Sequence, residues 1–158
     1  MVPESLGVLR VGQHGFTAIE VAVVMAVTGI VITAAMPSLM TYWRAAATKA
    51  AAEELVTGLN AARQLAIAKA RSVCFEVSGG KYRFRTGGCS TGTIWTGPGT
   101  GVNGFVSLAN KVTLTTNVNP VFDYLGAAVP GGTLTVTNPQ DGRTRSVVVS
   151  PSGRVSIQ

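Results

Sequence analysis

The sequence contains little of the chemistry from which most enzyme sites are built. Its 158 residues include one histidine, His14, and two cysteines, Cys74 and Cys89, with no Cys-x-x-Cys pair. A structural zinc site takes about four Cys or His ligands, so we expect no such metal site. Because His14 lies near the N-terminus, the rest of the chain lacks an imidazole for acid–base catalysis. We therefore predict no enzyme, no metal and no cofactor.

Two glycine-rich stretches do not change this prediction. Residues 99–104 formally match Gly-x-Gly-x-x-Gly, but they follow a Pro-Gly turn and open no helix. A dinucleotide site requires a strand before the motif and a helix after it. Residues 79–81, Gly-Gly-Lys, lack both the spacing and the Ser or Thr of a phosphate-binding loop. Neither stretch predicts nucleotide binding.

Acidic residues are also scarce, and the basic ones are unevenly placed. Twelve basic and five acidic residues follow Pro37, which gives that part of the chain a formal charge of +7. Such an excess favours a polyanionic partner through long-range attraction. The candidate contacts are Lys81, Arg83, Arg85, Arg143, Arg145 and Arg154.

Three of these cations alternate along one predicted strand. Lys81, Arg83 and Arg85 would share one face of that strand, while Tyr82 and Phe84 would point to the core. One interpretation is a solvated face with partial pairing, for instance of Arg83 with Glu76 across a hairpin. The other is a phosphate-binding surface for DNA.

In contrast, the chain has one long apolar run, from Ile19 to Met36. Only Glu20, Thr28, Gly29 and Thr33 interrupt it, and a helix of about 20 such residues can span a bilayer. One alternative is a secretory signal peptide that is cut after residues 33–35, Thr-Ala-Ala. Against it, the run is longer than the hydrophobic region of a usual signal. We therefore predict a membrane-anchored or exported protein.

In an exported protein, one disulfide between Cys74 and Cys89 is the favoured use of two cysteines.

Glu20 distinguishes this run from a plain transmembrane anchor. A carboxylate in hydrocarbon costs about 2.5–3.5 kcal/mol or more unless it has a partner. If the chain is cut before Phe16, a new amino cation appears four residues from Glu20. In a bundle of parallel helices, the amine of one subunit could pair with Glu20 of its neighbour.

The helical pattern continues beyond Pro37. Alanine is frequent from residue 45 onward, and Leu55, Leu59, Ala62 and Ala66 recur at spacings of three and four, which predicts a buried stripe. Pro37 removes one backbone hydrogen bond, so we expect a bend there. Two separate helices broken at Pro37 are the alternative.

Short strands separated by Gly and Pro are predicted after Ser72. VCFEV and KYRFR, joined by Ser78-Gly79-Gly80, have the pattern of a β-hairpin. The stretch from Gly87 to Gly104 is expected to be a loop. The further predicted strands are residues 105–108, 112–116, 121–125, 133–137, 145–149 and 154–157.

The N-terminal motif resembles a known class of signal. Gly15-Phe16-Thr17-x-x-Glu20 before an apolar helix is similar to the class III signal of type IV pilins and type II secretion pseudopilins. The resemblance implies cleavage between Gly15 and Phe16 by a prepilin peptidase, methylation of the Phe16 amine and assembly with other pilins. It also implies a single-pass protein of the inner membrane with a periplasmic head, which agrees with the leader cation Arg10.

The C-terminal part extends the resemblance to the GspH/FimT family of type IV minor pilins and type II secretion pseudopilins. Ser152-Gly153-Arg154-Val155 is similar to the entry of that family's last strand. The implied fold is α+β and pilin-like, with a long N-terminal helix packed on a small antiparallel β-sheet or β-sandwich head. The implied role is a structural subunit that primes or caps a pilus or pseudopilus.

The predicted domain organisation follows from the motif and the change in pattern at Ser72. It comprises a leader at residues 1–15, a helix at 16–71 with a transmembrane part (16–37) and an amphipathic part (38–71), and a β-rich head at 72–158.

Some relatives capture DNA through basic residues near the Gly-Arg tail, so DNA uptake is the alternative function. Ser156 stands where those relatives tend to have a second arginine.

Overall fold

The computed structural model describes residues 15–158, so the predicted leader lies outside the described residues except for Gly15. One helix, α1, runs from Ala18 to Lys69. It passes through Pro37 without interruption, so the alternative of two separate helices is wrong. Its ends differ from the predicted range 16–71 by two residues each, which is the usual uncertainty of helix ends.

The described chain forms two compact units, one reaching Leu39 and the other comprising Met40–Gln158. In the first unit the helix exposes its apolar side chains, among them Ile19, Met25 and Ile30. This is the helix that is long and apolar enough to cross a membrane, and none of its most apolar window is buried within the chain. Its hydrophobic surface is therefore available to lipid or to other subunits.

Nine strands follow the helix and form two antiparallel sheets. The first sheet has the order β3-β2-β1-β6, with β4 also pairing with β2, and the second has the order β5-β7-β8-β9. The strands are β1 (Val73–Ser78), β2 (Lys81–Thr86), β3 (Thr93–Ile94), β4 (Val106–Ser107), β5 (Thr113–Thr116), β6 (Val121–Phe122), β7 (Gly132–Thr137), β8 (Thr144–Val149) and β9 (Val155–Ile157).

The predicted hairpin is confirmed as β1 and β2. Gly79 and Gly80 both have positive φ, at 59° and 76°, which a two-residue hairpin turn of type I′ requires. In this register Glu76 lies opposite Arg83 and Phe75 opposite Phe84. The turn therefore decides which side chains of the two strands become neighbours.

Two local predictions from the sequence were wrong. The strand expected at 121–125 ends at Phe122 because the Asp123 carboxylate accepts hydrogen bonds from the Leu125 and Ala127 amides, both 2.9 Å, and turns the chain. The loop expected at 87–104 contains a short strand, β3, in which Ile94 pairs with Arg85. β3 is only two residues long, too short to give a periodic signal.

The core of Met40–Gln158 lies between the helix and the two sheets. Leu55, Leu59, Ala62 and Ala66 are fully buried, which confirms the predicted stripe. Phe75 and Tyr82 stack below it with ring centroids 4.7 Å apart. The fold class predicted from the sequence is therefore confirmed: a long N-terminal helix packed on antiparallel sheets.

Candidate functional site

Glu20 is held at the beginning of α1 by its own chain. The Thr17 amide and hydroxyl both donate hydrogen bonds to Glu20 Oε2, at 2.8 and 2.9 Å, and the Glu20 amide donates to Thr17 Oγ1 at 3.3 Å. This reciprocal arrangement is a capping box, in which residue three of the helix and the residue before the helix satisfy each other. The carboxylate also lies where the helix dipole favours negative charge.

The sequence analysis missed this capping box, although its signal was present. Thr17-x-x-Glu20 before an apolar run is the usual sequence pattern of the motif. The hydrogen bonds accepted by the carboxylate both go to Oε2. Phe16, Ile19, Val23 and Val24 line an apolar surface around the same carboxylate. Glu20 therefore combines a local partner with exposure on an apolar helix face.

The second group of predicted residues forms an ion cluster on the hairpin. Arg83 donates two hydrogen bonds to Glu76, both 2.8 Å, and Arg85 Nε donates another to Glu76 Oε2. The side chains of Glu76, Arg83 and Arg85 are only 18, 13 and 17% exposed. The hydrogen bond from Arg83 is the main reason that the pKa of Glu76 falls below its usual 4.5, and Arg85 lowers it further against the effect of burial.

The same two arginines also contact the loop after the hairpin. Arg83 lies over the Phe105 ring, 4.4 Å from its centroid. Arg85 Nη1 donates a 3.0 Å hydrogen bond to the Gly92 carbonyl. Two of the three cations predicted to face solvent on this strand are therefore mainly structural, and Lys81 is the exposed member of the row.

The remaining candidate cations lie on the second sheet. Arg143 forms an ion pair with Asp141 at 3.2 Å and keeps half of its side chain exposed. Arg143 and Arg145 line one groove together with Thr48 of the helix, whereas Arg154 is exposed elsewhere. The structure thus does not bring all six predicted cations together in one patch.

Cys74 and Cys89 are joined in a disulfide, with their Cα atoms 5.2 Å apart and a sequence separation of 15. Cys74 is buried in β1, whereas Cys89 lies in the loop after β2. The bond attaches the start of that loop to the first sheet. Among the described residues, no group of His, Cys, Asp and Glu side chains could hold a metal ion.

The Ser152-Gly153-Arg154 motif at the start of β9 has a packing reason. Gly153 has a φ of +77°, and a Cβ added there would lie 1.8 Å from the Gly126 carbonyl oxygen. Gly126 itself has a φ of +86° and packs against the Arg63 side chain. The motif therefore allows two backbone segments to approach within a distance that only glycine permits.

A family model described as Type II transport protein GspH matches residues 51–153. The type IV minor pilin FimU of Pseudomonas aeruginosa (strain PAO1) is similar in structure, with a TM-score of 0.51, 25% identity, and coverage of 70% of this chain and 87% of that chain. The minor pseudopilin EpsH from the type 2 secretion system of Vibrio cholerae has a TM-score of 0.53, 14% identity, and coverage of 70% and 95%. No curated protein sequence matches the chain.

The helix, the two sheets and these neighbours together define a pilin-like protein. At 14% identity, the likeness to EpsH concerns the fold alone. The family match covers well over half of the chain, from the middle of α1 to the Ser-Gly motif. The chain belongs to the family of Type II transport protein GspH. The structural neighbours of this chain include a minor pilin and a minor pseudopilin.

Proposed function

We propose that this protein is a minor structural subunit of a type IV pilus or a type II secretion pseudopilus. It is anchored in the inner membrane by residues 16–37, with the rest of the chain in the periplasm. A prepilin peptidase cuts between Gly15 and Phe16, and the new Phe16 amine is methylated. The mature subunit then joins a filament through parallel packing of N-terminal helices, in a priming or tip position.

The observation that supports this proposal best is the surface of α1 before Met40. Its large apolar side chains are exposed, and Phe16 is 87% exposed. Glu20 is the one acidic residue in this part of the helix. An apolar helix face with a single carboxylate at its start is suited to packing against identical helices, provided that each carboxylate meets a cation.

Maturation is tested by mass spectrometry of the protein purified from its native membrane. We expect the polypeptide to begin at Phe16 with one added methyl group on the amine. A chain that begins at Met1, or one cut near Met36, would contradict the proposed processing. Gly15→Val should block cleavage, because the residue before the cut is changed while the membrane-spanning segment is not.

The role of Glu20 is tested with substitutions that separate its charge from its cap. Gln can replace Glu in a capping box, so Glu20→Gln retains the local hydrogen bonds but removes the negative charge. We expect both Glu20→Gln and Glu20→Ala to insert into the membrane and to fail to join filaments. Thr17→Val removes the cap, a loss of about 1 kcal/mol, but retains the charge and should still be incorporated.

The measurement is the fraction of each variant recovered in sheared filaments relative to the membrane fraction. Normal incorporation of Glu20→Gln would show that the charge has no role in assembly. A failure of Thr17→Val together with normal Glu20→Gln would assign the importance of this segment to helix capping instead.

A second candidate function is capture of DNA by the basic surface during DNA uptake. It is favoured by the +7 formal charge after Pro37 and by the groove in which Arg143 and Arg145 meet. Because Glu76 already pairs with Arg83 and Arg85, we expect phosphate contacts to come mainly from the second sheet, with the exposed Lys81 as the one remaining cation of the β2 row.

Titration of residues 40–158 with duplex DNA at rising salt tests this candidate. The double substitution of Arg143 and Arg145 by Gln should reduce the slope of log affinity against log salt by about two. The matched change of Arg83 to Gln should leave that slope unchanged. Absence of binding at low salt would eliminate DNA capture and leave the assembly proposal intact.

A further inference from the structure

A groove of about 570 Å³ lies where the helix enters the unit Met40–Gln158. Met40, Trp43 and Arg44 of α1 form one wall, and Asn110 and Lys111 contribute to the other. Trp43 is 61% exposed and Met40 is 48% exposed, and neighbouring exposed apolar side chains mark contact sites for a protein or a membrane. The groove thus combines an exposed aromatic surface with two cations.

The charge of this groove is uniformly positive. No carboxylate is among the described residues that line it, and neither Arg44 nor Lys111 forms an ion pair within the described chain. Asp141 follows Gln140, a residue that lines the groove, but the Asp141 carboxylate already pairs with Arg143. The groove is therefore complementary to a small anion next to an apolar group.

The backbone holds Lys111 at this groove in an uncommon conformation. Asn110 and Lys111 have φ values of +64° and +53°, a region that costs non-glycine residues about 1 kcal/mol or more and is often found at functional sites. The turn is fastened to the helix, because the Ala109 amide donates a 3.1 Å hydrogen bond to Glu54 Oε2. The position of Lys111 is thus determined by the fold.

Two aromatic residues follow the apolar run closely, and one of them, Trp43, lines the groove. Tyr42 and Trp43 come a few residues after Met36 and are both exposed. Tyr and Trp are enriched where membrane spans meet the aqueous phase, and cations next to a span attract anionic lipids. Aromatic, apolar and cationic side chains therefore occur together at the position where a lipid headgroup would be met.

We propose that this groove binds the headgroup phosphate of an anionic phospholipid in the leaflet that faces the head. Arg44 and Lys111 contact the phosphate, and Met40 and Trp43 contact the glycerol and the upper acyl chain. This inference rests on the proposed anchoring of residues 16–37 in the membrane. It adds a specific lipid contact, which binds the subunit before it enters a filament.

The test uses the full chain in nanodiscs that contain phosphatidylcholine with a minor share of a quencher-labelled lipid. Trp95→Phe leaves Trp43 as the single tryptophan, and Phe preserves the ring that packs 5.5 Å from Phe84. The nitroxide quencher is attached near the headgroup of either phosphatidylglycerol or phosphatidylcholine. The ratio of the two quenching constants measures the preference of the groove for the anionic lipid.

We expect a clear preference for phosphatidylglycerol in the Trp95→Phe protein, which is the background for every variant below. Arg44→Gln and Lys111→Gln should each reduce it about fivefold, the factor that corresponds to about 1 kcal/mol per cation at a membrane surface. Lys81→Gln removes the same charge away from the groove and should change the ratio little. Lys111→Arg should retain most of the preference.

Equal quenching by the two lipids, or an equal loss in the Lys81 variant, would overturn the inference. Competition by soluble glycerol phosphate at the same level would show that the groove binds a free anion rather than a lipid. Flotation with neutral vesicles separates the two proposals, since a chain that floats without a lipid preference retains its anchor and loses only the headgroup site. A chain that fails to float loses both.

Discussion

Replacing Glu76 should destabilise the unit Met40–Gln158 more than its position on a strand surface suggests. Glu76→Gln leaves the Arg83 and Arg85 side chains, which are only 13 and 17% exposed, without a counter-charge. Removing one partner of a fully buried ion pair costs about 3–5 kcal/mol, and an exposed pair contributes about 0–1 kcal/mol. For this partly exposed cluster we expect a loss of about 2 kcal/mol.

Thermal and urea unfolding of residues 40–158 provide the measurement. A loss of about 2 kcal/mol corresponds to a decrease in Tm of roughly 6–10 °C for a domain of this size. Asp141→Asn is the matched control, because its partner Arg143 is half-exposed and can be hydrated when the pair is broken. Equal effects of the two substitutions would refute the reasoning that burial makes the Glu76 cluster costly to break.

The pH dependence of stability gives an independent check on the same cluster. The folded chain lowers the pKa of Glu76 below its unfolded value of about 4.5, so the carboxylate contributes stability that is fully present above that value. This contribution is lost as the pH falls from about 4.5 through the folded pKa, because the unfolded chain then binds the proton first. The free energy of unfolding of Glu76→Gln should therefore decrease less below pH 4.5 than that of the parent protein.

Two further substitutions test the loop and the tail motif. Cys89→Ser should lower the free energy of unfolding by about 3 kcal/mol, the chain-entropy value for a loop of about 15 residues, and a reducing agent should lower the stability of the parent protein but not of the variant. Gly153→Ala should destabilise by about 3 kcal/mol or more, because the new Cβ collides with the Gly126 carbonyl. Gly142→Ala, with a φ of +69° in open space, should cost only about 1 kcal/mol, and equal losses at the two glycines would rule out the collision.

The parts of the fold that follow periodic patterns could be predicted from the sequence. Leu55 and Leu59 repeat at helical spacing, and Tyr82 and Phe84 alternate with cations, so their burial follows from geometry alone. The pairing of Glu76 with Arg83 also follows, since two-residue hairpin turns determine which residues face each other. What the pattern could not show is that Arg85, two pairs further along the hairpin, reaches the same carboxylate.

Single side chains that turn the backbone are the features that the sequence pattern did not show. Asp123 ends β6 with two hydrogen bonds to amides two and four residues later. Asn110 and Lys111 adopt a left-handed turn that lysine rarely favours. The Asp123 turn is local and gives no periodic signal, whereas the turn at Asn110 and Lys111 is fastened by a tertiary contact, the hydrogen bond from the Ala109 amide to Glu54.

The capping box also clarifies what cleavage before Phe16 would contribute. The Thr17 amide and hydroxyl that hold Glu20 belong to residues after the cut, so the cap is compatible with both the precursor and the mature chain. Under the proposed function, cleavage would therefore add a cation near a carboxylate that is already oriented, and the second oxygen of Glu20 could face a neighbouring subunit. Under the proposed function, the precursor keeps its acid satisfied locally while it waits in the membrane, and only the mature chain supplies the charge that links one helix to the next. Glu20→Gln retains the first of these roles and removes the second.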